Sequence, residues 1–188
     1  MGDALEARAL LVLLVAALAA TAARLAAPTQ AHPTKPSRAL ICGSERWRVK
    51  TLQDRPKLYS AKPKTVAWLM GLTRPKPAPK DRSNFERHIY SVEAAVTDVL
   101  QEADKDLHVV LEDGPAHMVA ESPNAPFCSV DATAYRKKQM AKARDKVRVC
   151  AHARIVVVVF WDRPHNVTGR APNSIELHPI LDFACFSG

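Results

Sequence analysis

Two histidines and three carboxylates stand where a binding site could be assembled from separate strands. Asp106 and His108 lie in DLHVVLED, Glu121 in MVAESP, and Glu176 and His178 in IELHP. In each segment the polar residues alternate with apolar ones, so each set occupies one face of a strand. Neutral imidazole and carboxylate are both good donors to zinc-like ions, and the pair can also serve as general base and acid. His108, Glu121 and His178 are therefore the candidate ligands of a divalent metal, with Asp106 and Glu176 completing the surface cluster. The same pattern also describes solvated cross-strand pairs. No HExxH, GxSxG or phosphate-binding loop occurs, and Ser122 and Ser174 have no assignable base, so no cofactor beyond such a metal is implied.

Three strands must position the first of these residues. Tyr90, Val92, Ala94 and Val96 alternate with Ser91, Glu93 and Thr97; after the charged LQEADKD, Leu107, Val109 and Leu111 resume the pattern. Asp113-Gly114 is a hairpin turn signal, because glycine tolerates the positive φ such turns require. A third strand follows, with Met118 and Ala120 on one face and His117, Val119 and Glu121 on the other. Asp131 is the expected N-cap of a basic helix over Ala132 to Lys146. Val147 to Trp161 reads as the longest strand, and its IVVVVFW half is apolar in both phases, which calls for cover on both faces, the N-terminal arm being the expected cover. The last strand, Ser174 to Asp182, turns Ile175, Leu177 and Leu181 inward, and Pro179 predicts an edge or a bulge.

Three strands, a helix and two strands is the order of the OB-fold, a five-stranded Greek-key barrel. The expected class is thus mainly β, an OB-like barrel, with an α+β sandwich as the alternative. In the barrel the third strand lies between the second and the fifth. Asp106, His108, Glu112, His117, Glu121, Glu176 and His178 would then form one outward patch. The second and third strands carry no exposed aromatics for base stacking, which argues against oligonucleotide binding there.

The chain has 188 residues and a formal net charge of +8. Lys35 to Arg82 holds thirteen Lys or Arg against three acids, and Ser83 to the end twelve against fourteen. The basic, proline-rich arm is the expected contact for an anionic polymer. Within it, CGSERWRVKT is expected to be an edge strand with Trp47 and Val49 docked and Arg46, Arg48 and Lys50 in water. Thr65 should cap a short helix ended by Gly71. Residues 1–31 read as a signal peptide whose apolar run, Ala9 to Ala23, is shorter than the ~20 residues that span a bilayer; an uncleaved signal anchor is the alternative. The expected organisation is signal 1–31, basic arm 32–82 and barrel 83–188, secreted or periplasmic, without integral membrane contact in the mature part, and monomeric. Cys42, Cys128, Cys150 and Cys185 suit an oxidising compartment and allow three connectivities. Asn166 heads a glycosylation sequon that matters only in a host that glycosylates.

CGSERWRVKT, DLHVVLED, AESP and GRAPNSIELHPIL together resemble a family of small secreted proteins with a CGxERWxVKT motif near one end and an APNxIELHPxL motif near the other. The resemblance spans Cys42 to Asp182 and implies secretion and a barrel-like β core, with no activity to carry over. The chain departs from it at Ser174, where glycine is expected for a tight turn, and at Cys150 and Cys185. The resemblance favours bridges Cys42 to Cys128 and Cys150 to Cys185, the second joining strands that are neighbours in the barrel. The leading functional expectation is a non-enzymatic binding or scaffold domain. A metal-dependent, nuclease-like hydrolase using His108, Glu121, Glu176 and His178 is the alternative, and polyanion binding through Lys35 to Arg82 is a third.

Overall fold

The computed structural model describes residues 42–43, 45–124 and 127–186. The signal segment, Lys35 and Arg38 lie outside the described residues. The elements in chain order are α1 (Trp47–Lys50), β1 (Lys62–Pro63), α2 (Val66–Met70), β2 (Ile89–Gln101), β3 (Leu107–Asp113), β4 (Ala116–Ser122), α3 (Ala134–Arg144), β5 (Cys150–Trp161) and β6 (Ile175–Cys185). Strands pair in the order β2, β3, β4, β6, β5, and β5 pairs back to β2. That closure makes a five-stranded, OB-like barrel and removes the sandwich alternative. β4 and β6 run parallel, meeting at Ala120 and Leu177, while the two-residue β1 extends β2 at the margin. The described residues belong to one unit, Pro36–Gly188. No helix among them is long and apolar enough to cross a membrane.

Alternation fills the barrel. Val92, Ala94, Val96, Val109, Leu111, Met118, Ala120, Ile155, Val157, Val159, Ile175 and Leu177 form the interior. A second apolar cluster lies outside it, where Leu52 of the arm and Ala132 and Met140 around α3 cover Ile89, Val158 and Leu181. Both phases of IVVVVFW are covered for this reason, one inside the barrel and one under the arm and α3, where Val156 is half-buried and Val158 and Phe160 are fully buried. Pro179 lies at a bulge: Leu177 faces Val159 and Ile180 faces Val157, so two β6 residues oppose Val158 alone. The extra residue reverses the phase, and Leu181, expected inside, joins the outer cluster while Ile180 turns inward.

Three local expectations need correction. The CGSERWRVKT segment is one helical turn instead of an edge strand, because Arg46 is left-handed (φ 45°) and its carbonyl accepts from Val49 and Lys50. The cap of α3 is Thr133, whose Oγ accepts from the Arg136 amide, while Asp131 lies in the preceding turn with its amide on Gln53. The helix is accordingly shorter than Ala132 to Lys146. Thr65 caps α2 and Gly71 ends it, as expected. Ser174 keeps the turn that glycine would make, adopting φ 57° itself. Its carbonyl accepts from Asp162 and its amide donates to Ala171, which secures the conformation. Disulfides join Cys42 to Cys128 and Cys150 to Cys185.

Candidate functional site

All five candidate residues meet on the outer face of β3, β4 and β6. His108 stands opposite Glu121 in the β3–β4 register, and the parallel β4–β6 contact brings Glu176 and His178 alongside. Asp106 enters from the turn before β3. Glu112 and His117 share the face at its far end but are exposed and do not join the cluster. The expectation of a solvated patch is corrected: Asp106, His108, Glu121, Glu176 and His178 are all buried. The arm roofs them.

The roof is held by α1. Arg46 forks onto Glu86, with Nη1 to Oε1 and Nη2 to Oε2 both at 2.8 Å, and Glu86 also accepts from the Trp161 and Ser83 amides. Burial would raise the Glu86 carboxyl, but Arg46 and these amides hold it below the usual carboxylate range. Both Arg46 and Lys50 sit over the Phe160 ring, 4.8 and 5.2 Å from its centroid. Lys50, expected in water, is 18% exposed and points into the site. Its Nζ lies 3.2 Å from Glu176, 3.3 Å from Glu121 and 3.7 Å from Asp162. Burial opposes its charge, yet these carboxylates hold the ammonium well above its ordinary value.

Each histidine is oriented by a main-chain carbonyl, which can only accept. His108 Nε2 donates to Thr168 O at 2.8 Å and His178 Nδ1 to Lys50 O at 3.0 Å. The other nitrogens turn to opposite oxygens of Glu121. His178 Nε2 is 3.2 Å from Glu121 Oε2 and 3.2 Å from Asp106 Oδ2, and His108 Nδ1 is 3.8 Å from Glu121 Oε1. His108, Glu121 and His178 thus converge, but the two imidazoles flank the carboxylate from opposite sides and do not share one oxygen. His178 is spent on hydrogen bonds to Lys50 and Asp106.

The carbonyl of Thr168 reaches His108 because Gly169 follows it. Gly169 has φ 76°, and a Cβ there would stand 2.7 Å from Val110 Cγ1. Only glycine lets the loop approach β3 so closely.

Sequence reasoning missed Lys50, Glu102, Asp104, Asp162 and His165. Glu102 Oε1 lies 3.1 Å from His108 Nδ1, and His165 Nδ1 lies 2.9 Å from Asp162 Oδ2. A cleft of about 220 Å³ opens onto the group, lined by Lys50, Glu102, Asp104, Asp106, Glu121 and Asp162 among others. Among the described residues three sets beside it have donor atoms within 4.8 Å of one another: Glu102, His108 and Glu121; Asp106, Glu121 and His178; Asp162, His165 and Glu176. Alternation could not mark these five missed residues, which lie on α1 and in the turns and loops between strands.

Carboxyls outnumber cations here, and the titration of the site reflects it. Burial, with Glu121 repulsion second, pushes Glu176 up to about 8. Burial and then Asp106 raise Asp104 as well. Burial works against both imidazolium charges, yet Glu102, Glu121 and Thr168 push His108 up to about 10, and Asp106 and Glu121 push His178 to about 9. Glu121 is raised by burial but held well below the carboxylate range by Lys50 and the two histidines. Raised histidine values favour the folded state below the unfolded value, and that contribution is lost as pH rises through the folded one. Raised Glu176 works in the same direction from its unfolded value, 4.5, to about 8. Denaturant unfolding should therefore show stability falling between pH 6.5 and about 10, the window set by the two histidines. The depressed carboxyls Glu86 and Glu121 supply a separate loss on the acid side. A flat or rising profile from pH 7 to 10 would contradict the charge assignment.

No family model and no curated protein matches the chain. Among solved structures it is similar to the asparaginyl-tRNA synthetase of Entamoeba histolytica, at 10% identity and a TM-score of 0.39, over 69% of this chain and 24% of that one. It is also similar to the aspartyl-tRNA synthetase of Entamoeba histolytica, at 14% identity and a TM-score of 0.36, over 70% of this chain and 26% of that one. The chain spans about a quarter of the length of each. Likeness at this level carries no argument about activity, substrate or partner.

Proposed function

We propose that the chain is an extracytoplasmic, non-enzymatic binding domain whose roofed cleft takes a positively charged ligand. The carrying observation is the surplus of carboxylate around Lys50. Asp106, Glu121, Asp162 and Glu176 are buried together, Glu102 and Asp104 stand at the opening, and the cations among them are Lys50, His108 and His178. Arg163, on the rim, is paired with Glu45 at 2.9 Å. At neutral pH Glu176, raised to about 8, is mostly uncharged, so the surplus lies with Glu102 and Asp104 at the opening. Acid placed there attracts cations and repels phosphate or sulfate polymers. The two disulfides support an oxidising compartment. Polyanion contact through the arm has less support, because Arg46 and Arg82 are paired with the carboxylates of Glu86 and Asp54, and Arg55 and Arg74 donate to the main-chain carbonyls of Asp131 and Asp162.

Calorimetric titration at low salt with divalent metals, spermidine, a lysine-rich peptide and a heparin oligosaccharide tests the reading. At least one cationic class should bind with a stoichiometry of one per chain, and the combined Glu102→Gln, Asp104→Asn variant should bind it more weakly. Absence of binding by every cation, or competition by heparin for the same site, would overturn it.

A further inference from the structure

We infer that Glu102, His108 and Glu121 form a binding site for one divalent transition-metal ion at the mouth of this cleft, with Zn²⁺ or Mn²⁺ the fitting class. The inference rests on the cation-binding reading above and names its ligand. It stands on a buried nitrogen that the protein leaves without a hydrogen bond. His108 is 2% exposed, and its Nδ1 has no hydrogen-bond partner. Nε2 carries the hydrogen donated to Thr168 O, so an ion at Nδ1 takes the place of the proton that the imidazolium holds there, and Nδ1 turns its lone pair to the metal. This is the arrangement in which a second-shell acceptor fixes the tautomer of a ligating histidine.

That nitrogen is aimed at two carboxylates. Glu102 Oε1 lies 3.1 Å away and Glu121 Oε1 3.8 Å away. Glu102 Oε1 is close enough for a hydrogen bond but lies off the ring's N–H direction, while Glu121 Oε1, at 3.8 Å, is beyond hydrogen-bond distance. Oxygens sharing an octahedral ion with a nitrogen lie about 45° off its lone-pair axis, where hydrogen bonding fails and coordination holds. Donors at zinc-like bond lengths stand ~3.0–3.4 Å apart around one ion. Glu102, at 3.1 Å, already stands at that separation, and Glu121, at 3.8 Å, must close in by a few tenths of an ångström when the ion binds. An imidazole with two carboxylates suits zinc or manganese better than magnesium, which prefers all-oxygen coordination, or copper(I), which prefers sulfur.

The three donors come from separate, supported positions. His108 and Glu121 are directly paired across β3 and β4. Glu102 is delivered by the β2–β3 turn, in which its amide donates to Asp106 O at 3.0 Å and its carbonyl accepts from Lys105 at 2.9 Å. Its side chain is 35% exposed and lines the cleft, which gives the ion an entry path. Lys50 contacts Glu121 through Oε2, leaving Oε1 for the metal. The site therefore differs from a His108, Glu121 and His178 set: Glu102 replaces His178, whose nitrogens are already occupied.

The test titrates Zn²⁺ and Mn²⁺ separately into the full chain after chelator treatment, by calorimetry, with ¹⁵N spectra of the histidine rings alongside. One ion should bind per chain, with the largest shift at His108 Nδ1. Glu102→Gln removes a ligand at the rim without opening the buried cluster, so it should fold. It should weaken binding at least roughly tenfold, the loss that even an outer-shell partner produces. His152→Ala, in an exposed pair with Glu93, should leave it unchanged. Unaltered affinity in Glu102→Gln, or a ring shift confined to other histidines, would overturn the assignment. Failure of both metals while spermidine still binds in the cleft would overturn it and leave the cation-binding reading standing; failure of every cation would remove both.

Discussion

Replacing Lys50 by methionine is expected to destabilise the domain by about 3–5 kcal/mol at pH 8, the usual consequence of removing one partner from a buried ion cluster. Nζ contacts Glu121, Glu176 and Asp162, and methionine keeps the stem while removing the charge. For a domain of this size that corresponds to a melting temperature lower by roughly 10 °C. Below pH 6 the deficit should shrink. Glu176, already raised to about 8, takes up a proton readily once its cation is gone. A variant that melts with the wild type at pH 8 would show that Lys50 is not the cation that neutralises the cluster.

The Cys42→Ser, Cys128→Ser pair should cost about 4–5 kcal/mol by loop entropy, since the bridge closes a separation of 86 residues. Its effect should also be local. Cys42 precedes α1, so its loss frees the chain that carries Arg46 and Lys50 over the site. Trypsin should then cut at Arg46, Arg48 or Lys50 under conditions where the wild type resists. Breaking Cys150 to Cys185, with a separation of 35 residues, removes a link between strands already paired along their length, and should leave α1 protected. Equal proteolysis in the two variants would mean that the first disulfide does not hold the cover.

Much of the fold was legible because it is written at short range. Alternation located β2, β3 and β4, Asp113-Gly114 placed a hairpin turn, Thr65 and Gly71 bounded α2, and Pro179 marked the bulge. Errors arose where distant contacts overrule local pattern. Arg46 takes a left-handed backbone within reach of Glu86 and Phe160, and this converts an apparent strand into a helical turn. Leu181 left the interior because alternation carries no record of an extra residue until the partner strand is known.

The candidate residues followed the same division. Their types, their shared strand faces and their expected meeting through β3, β4 and β6 came from the amino-acid order alone, because a period of two and the strand sequence of an OB-like barrel suffice for that. Tertiary structure alone decided that the meeting place is buried, that Lys50, Glu102 and Asp162 belong to it, and that His108 rather than His178 keeps a nitrogen free of hydrogen bonds. The physical reason is range. Which face a side chain takes is set by its neighbours in sequence, whereas burial, charge and proton position depend on groups far away along the chain, such as Lys50 and Glu176.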